Sequence, residues 1–250
     1  MTRYIFLSPH LDDIVLSCGA IVDHLSNKGH KIEIWTFFAG DPPNDHFFSF
    51  ALSLHQRWAL PNNPILTRRK EDISSCFLLN ATPRHFDFPD CIYRTDGNSN
   101  PLITKEEDLY QSIPSHQLYL VEYISELLNR LPPDVILVSP LSIGNHIDHR
   151  IVRAAVDHLT HKKILFYKDY PYHVKEIEGS DLSNIGELEP VDYKITQTNF
   201  KNWIKAIKCH KSQISTFWKD EEALTKEIIN YAKAGGGKSL YLIGETSSFT

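Results

Sequence analysis

The sequence predicts an α/β fold: a Rossmann-like three-layer arrangement with a mostly parallel sheet. Three observations carry that expectation. Apolar runs of strand length alternate with segments of helical period. Such alternation demands right-handed crossovers and a sheet covered on both faces. Two clusters of histidine and aspartate also fall directly after apolar runs, where open α/β sheets carry their sites.

The elements follow in order. A strand is expected over 3–8 and a helix over about 13–28, closed by Lys28-Gly29-His30, before a strand over Lys31–Phe38. Ala39–Asp45 has the chemistry of a loop, and 47–60 and 67–80 have helical period ahead of the short strand His85–Phe88. From Pro89 to Pro114 the chain is rich in Asn, Asp, Gly, Pro and Ser, which predicts a long surface excursion suited to a binding loop. Helix 115–131, strand 134–138, helix 147–160 and strand Lys163–Tyr167 come next. A strand near Asp192–Thr196 and helices near 199–213 and 220–234 complete the order, with Gly235–Gly237 expected as a flexible linker. Residues 1–250 are expected to form a single domain, because 250 residues with 42% hydrophobic side chains bury one full core.

Composition narrows the function. A net charge of −5 with dispersed Lys and Arg gives no surface for nucleic acid. No apolar stretch approaches the roughly 20 residues of a membrane span, and the N-terminus leads into a strand rather than a signal segment, so a cytoplasmic location is expected. Cys18, Cys76, Cys91 and Cys209 show no CxxC spacing, which argues against a thiolate zinc site or a disulfide framework.

The chemistry lies in the two clusters, Ser8-Pro-His-Leu-Asp-Asp-Ile-Val-Leu-Ser17 and Gly144-Asn-His-Ile-Asp-His-Arg150. A dinucleotide site would need GxGxxG at the first turn, and two carboxylates there would repel a pyrophosphate. The turn suits a cation instead. An Asp-Asp pair alone is usually a helix cap, and a lone HxxH is usually exposed polarity, but neither has a structural reason to follow a buried strand. Their joint occurrence there predicts one metal site. His10, Asp13 and His149 supply three ligands of the type found in catalytic zinc sites, leaving a position open for water. Asp12 is then free to serve as general base. Of His146 and His149, one can bind metal while the other faces the reacting group as a cation, donating to an oxyanion or protonating a leaving amine, and Asp148 is placed to fix a histidine tautomer. Zn2+ suits this set best, with Fe2+ or cobalt also accepted by two histidines and an aspartate.

At these residues the chain resembles the PIG-L/LmbE-like family of zinc-dependent N-acetylglucosaminyl deacetylases. The family's His-Pro-Asp-Asp and His-Pro-Asp-His motifs correspond to His10-Leu-Asp-Asp13 and His146-Ile-Asp-His149, with Leu11 and Ile147 in place of proline. Ile14 and Val15 stand where the family usually has an acidic residue. Leu16-Ser-Cys-Gly-Ala20, Arg68-Arg-Lys-Glu71, Phe88-Pro-Asp90, Asp169-Tyr-Pro-Tyr172 and Lys211-Ser-Gln213 extend the resemblance along most of the chain. It implies zinc ligands at His10, Asp13 and His149, a base at Asp12, an oxyanion partner at His146, and sugar contacts from Arg68 and Asp90. The expected reaction is metal-dependent removal of an N-acetyl or similar acyl group from an amino sugar or glycoconjugate. The Pro-His-Leu-Asp-Asp form is similar to that of members acting on glycosylated natural products. The alternatives are an amidase acting on a non-sugar or thiol-conjugate amide, or a non-catalytic metal- or carbohydrate-binding protein.

Overall fold

In the computed structural model, which describes residues 1–44, 47–60, 64–159, 163–174 and 186–244, the first apolar run forms β1 (Arg3–Ser8). It lies between β2 (Lys31–Thr36) and β4 (Ile136–Pro140), parallel to both. β3 (Thr82–His85) extends the sheet beyond β2 and β5 (Lys163–Tyr167) extends it beyond β4, again in parallel. β7 (Ser239–Ile243) then pairs antiparallel with β5, and β6 (Leu188–Asp192) antiparallel with β7. The strand order is β3-β2-β1-β4-β5-β7-β6. The predicted α/β class with a mostly parallel sheet therefore holds.

Alternation along β1 divides the core into two layers. Ile5 and Leu7 point to one face, with Trp35, Phe37 and Leu137, beneath α4 (Leu118–Asn129) and α5 (Ile147–Asp157). Phe6 points to the other, with Ile34 and Val138, beneath α1 (Asp13–Asn27) and α6 (Gln197–Ile207). Full burial of each such side chain contributes about 1.5–3 kcal/mol before entropy is counted. Two helices, α2 (Ser49–Arg57) and α3 (Pro64–Leu78), lie between β2 and β3 in the chain.

α1 is broken once, at Cys18, whose backbone is non-helical (φ −147°). The break coincides with a cross-link to α6: Trp203 Nε1 donates to the Val15 carbonyl at 2.6 Å. Gly19 makes room for this, since a Cβ there would stand 2.6 Å from Trp203 Cδ1. The first turn of α1, which carries Asp13, is thus pinned from behind.

Five expectations change, the first being that the short strand expected over His85–Phe88 lies earlier, as β3. The strand near Asp192–Thr196 lies earlier, as β6, and its partner β7 is not apparent in the sequence because an antiparallel edge strand needs no helical crossover to announce it. The helix over 199–213 is two helices, α6 and α7 (Lys211–Phe217), parted at His210. Gly235–Gly237 is a packed turn rather than a flexible linker: it closes α8 (Glu221–Lys233), with the Gly236 N–H on the Tyr231 carbonyl and Gly237 at φ +70° against the Trp203 ring. Pro89–Pro114 is only partly a surface excursion, because Asp90 to Arg94 and Ile103 are buried. That segment folds back onto the ends of β1 and β4 by way of contacts to Asp148. Residue 160, the end of the helix predicted over 147–160, lies outside the described residues; α5 itself ends at Asp157.

Candidate active site

Each predicted residue reaches the carboxyl end of the sheet by a local route. His10 leaves β1, and Asp12 and Asp13 open α1. His146 caps α5, with its Nδ1 accepting the Asp148 N–H at 3.3 Å, and Asp148 and His149 occupy the first turn. Arg68 comes from α3, and Asp90 caps a single 3-10 turn by accepting the Ile92 N–H at 3.2 Å. All eight meet in one place. His10, Asp12, Asp13, Arg68, Asp90 and His146 line a cavity of ≈280 Å³, while Asp148 and His149 lie behind its wall at 0% and 1% exposure.

Behind the wall the two histidines are held by carboxylates. Asp148 Oδ2 is 3.0 Å from His10 Nε2, and Asp169 Oδ1 is 2.7 Å from His149 Nδ1. Each pairing fixes a ring and leaves its second nitrogen to face Asp13. Asp13 Oδ2 lies 3.5 Å from His10 Nδ1 and 3.4 Å from His149 Nε2, and it also accepts the His10 N–H at 2.7 Å. Asp169 is the chief residue that the sequence pattern does not assign to the site. It stands just after β5, the same kind of position as both clusters, and that position is the available signal. Its other oxygen accepts the Ile143 N–H at 2.9 Å, fixing the loop that follows β4.

Charge in this cluster is strongly redistributed. Burial alone would raise the Asp13 carboxyl, but His149 and His10 hold it well below the usual range. Burial opposes the His149 cation, yet Asp13 and Asp169 raise that ring to about 9. His10 is likewise raised well above its ordinary value against burial, by Asp90, Asp13 and Asp148. His146 behaves oppositely, pushed well down by burial and by the two neighbouring imidazoles. With Nδ1 accepting the Asp148 N–H, Nε2 is the nitrogen left to donate. Among the side chains alone, burial and those imidazoles oppose the cation expected at His146.

The residues fit a divalent ion. His149 Nε2 is buried and makes no hydrogen bond. The donor separations of 3.4 and 3.5 Å match the roughly 3.3–3.4 Å between two ligands each about 2.0–2.1 Å from one tetrahedral ion. Three other groupings of ligand atoms occur among the described residues: His10 with His146 and His149, which shares two of these ligands, and two built on Asp148, namely Cys91 with His146 and Asp148, and His10 with Asp90 and Asp148. The two built on Asp148 are disfavoured because the Arg94 guanidinium pairs with Asp148, so a further cation there would be repelled. Burial and then Asp148 also push the Cys91 thiol well up, which opposes a thiolate there.

Asp12 faces the cavity from the opposite side of the helix start. Burial raises its carboxyl to about 7; Arg68, 3.6 Å away, pulls it down and Asp13 pushes it up. Arg68 stacks its guanidinium 4.7 Å from the Trp58 ring centroid. This places a fixed positive charge beside Asp12, whereas the sequence suggested only a sugar contact. The remaining walls are largely apolar or aromatic, with Phe50, Leu54, Trp58, Tyr110, Tyr172 and Phe217 among them. Tyr110 comes from the 89–114 segment, which therefore contributes to the cavity as well as to its support.

A parallel sheet with a histidine and aspartate cluster at its carboxyl end, open to one cavity, defines a hydrolytic α/β enzyme rather than a nucleotide-binding one. The chain belongs to the PIG-L family, the GlcNAc-PI de-N-acetylases, whose pattern matches residues 5–160, and it is an N-deacetylase. It is 29% identical over 187 residues to a 2'-N-acetylparomamine deacetylase of Niallia circulans, covering 68% of this chain and 67% of that one. To the 2'-N-acetylparomamine deacetylase of Streptomyces fradiae it is 26% identical over 174 residues, 68% of this chain and 57% of that longer one. Its fold matches the crystal structure of a zinc-inhibited teicoplanin deacetylase with a TM-score of 0.82, at 25% identity, over 98% of this chain and 100% of that one.

Proposed function

We propose that the chain, as a single domain over 1–250, removes the N-acetyl group from an amino sugar carried on a larger glycoconjugate. The observation that carries this reading is the convergence of His10 Nδ1, His149 Nε2 and Asp13 Oδ2 beside a cavity lined by Asp12 and His146. The named relatives are deacetylases of 2'-N-acetylparomamine and of teicoplanin, which supports the substrate class. The mixed polar and aromatic cavity suits a sugar bearing an apolar neighbour.

In this reading His10, Asp13 and His149 hold a divalent ion, with Zn2+ preferred and Fe2+ acceptable to the same ligands. Such an ion supplies Lewis acidity towards the amide carbonyl and acidifies water. Asp12 accepts the proton of the attacking water, Arg68 limits how far its carboxyl rises, and His146 donates from Nε2 to the developing oxyanion. Asp12 then returns its proton to the departing amine. Asp148 and Asp169 orient the two histidines without touching substrate. Arg68 and Asp90 contact the sugar hydroxyls. No helix among the described residues is long and apolar enough to cross a membrane. Four unpaired cysteines support the cytoplasm as the location.

Loading an ion must displace the proton that His149 holds up to about pH 9. Affinity is therefore expected to fall by about tenfold per pH unit below that value for each proton displaced. Calorimetry of Zn2+ binding in buffers of different ionisation enthalpy measures the protons released; binding without release would show that the ion sits elsewhere.

The test of function is free-amine release from N-acetylglucosamine, its β-glycosides, chito-oligomers and N-acetylated aminoglycosides, by zinc-loaded and chelator-stripped protein in parallel. Release that is lost on stripping and restored by metal is expected. A protein that binds one ion per chain yet releases amine from none of these would overturn the reading.

A further inference from the structure

α7 enters the cavity beside the proposed base through Gln213, and its side chain is wired from behind in a way that decides which atom it presents. Glu71, on α3, accepts two hydrogen bonds from Ser212: the backbone N–H at 2.9 Å and the hydroxyl at 2.6 Å. The Ser212 hydroxyl proton is committed to that carboxylate, so its oxygen can only accept from anyone else. It accepts from Gln213 Nε2 at 3.0 Å. The amide of Gln213 therefore cannot flip without setting its carbonyl against an oxygen that has no proton to give. Its remaining polar atom, Oε1, has no hydrogen bond among the described residues, and the residue, 5% exposed, lines the cavity. A carboxylate at the start of this relay thus fixes an acceptor at its end.

We infer that Gln213 is a specificity-determining residue whose Oε1 accepts a hydrogen bond from a hydroxyl or ammonium group of the substrate. Glu71 and Ser212 act as positioning residues through the amide orientation. This rests on the deacetylase reading and deepens it. Of the neighbouring polar groups in the cavity, Arg68 only donates, and Asp12 and Asp90 are acidic acceptors. Gln213 is a neutral acceptor, which takes a hydroxyl without adding charge next to Asp12. A substrate lacking that donor would close over this carbonyl without pairing it, which is how sites of this kind reject deoxy analogues.

The test compares wild type, Gln213→Leu and Ser212→Ala, all zinc-loaded, on a methyl N-acetylglucosaminide, its 3-, 4- and 6-deoxy analogues, and an N-acetylated aminoglycoside with a free amine. Amine release gives kcat and KM, and calorimetry on the Asp12→Asn background gives binding without turnover. Wild type is expected to discriminate against one analogue by about 10-fold or more in kcat/KM. Gln213→Leu should lose about that factor on the parent and gain no further loss on that analogue, with unchanged zinc content. Ser212→Ala should relax the same discrimination with a smaller loss, since it frees the amide to turn. If the aminoglycoside rather than the hydroxyl series carries the difference, the donor is an ammonium. Wild-type turnover with no analogue-specific change in either variant would overturn the inference and leave the deacetylase reading standing. Failure of wild type to bind or cleave any of the compounds overturns both.

Discussion

Asp12→Asn is expected to retain zinc and lower kcat by about 100- to 10,000-fold, the range that a positioned general base contributes. Asparagine keeps the shape and the neighbours of Asp12 but cannot accept a proton, and Asp12 is not among the three proposed ligands. The wild-type pH profile should show the same group. A base must be unprotonated, so activity should rise with pH through the Asp12 value of about 7 and level off above it. A bound cation favours the carboxylate, which moves this limb to lower pH but not away. Asp12→Asn should flatten the limb as well as lower the rate. Steady-state amine release from pH 5 to 9, with zinc content measured on the same samples, checks both. Near-normal turnover with full metal content would assign the base to another residue.

Much of this site is legible in the amino-acid sequence, for a physical reason. His10, Asp12, Asp13, His146, Asp148 and His149 sit within one turn of the ends of β1 and β4 or of the helices that follow them, and those strands are adjacent in the sheet. Sequence-local pattern and parallel topology are then enough to bring them together. Asp90 and Arg94 are harder to place, because their position depends on a loop rich in turn residues folding inward, and loop composition does not distinguish a buried path from an exposed one. Glu71, Ser212 and Gln213 are harder still, since they meet only through the packing of α3 against α7, 141 residues apart. The fold follows the same rule. Strands joined by helices announce themselves, whereas the antiparallel β6–β7 edge, which no crossover marks, is only partly located by its sequence.

The two carboxylates behind the histidines look alike in pattern but should fail differently, and this separates metal affinity from folding. Asp169→Asn keeps an acceptor for His149 Nδ1 while turning an N–H2 towards the Ile143 N–H, so the ring loses its charged partner and the loop loses a hydrogen bond. The buried His149 ring keeps Asp13 as a counter-charge. The expected result is 10- to 100-fold weaker zinc binding, with a folded protein whose residual activity returns at high zinc. Asp148→Asn is another matter. Asp148 accepts from the Cys91 N–H at 3.1 Å and pairs with Arg94, whose Nε and Nη1 have no hydrogen-bond partner among the described residues. Neutralising it leaves a guanidinium that is 5% exposed without a counter-charge, a loss of about 3–5 kcal/mol. In a chain of this length that should lower Tm by about 6–20 °C, and zinc should not restore it fully. Thermal unfolding with and without zinc, set beside competitive zinc titration, distinguishes the two. If Asp169→Asn instead melted early with normal zinc affinity, Asp169 would serve the loop after β4, and the orientation of His149 would have to come from Asp13 alone.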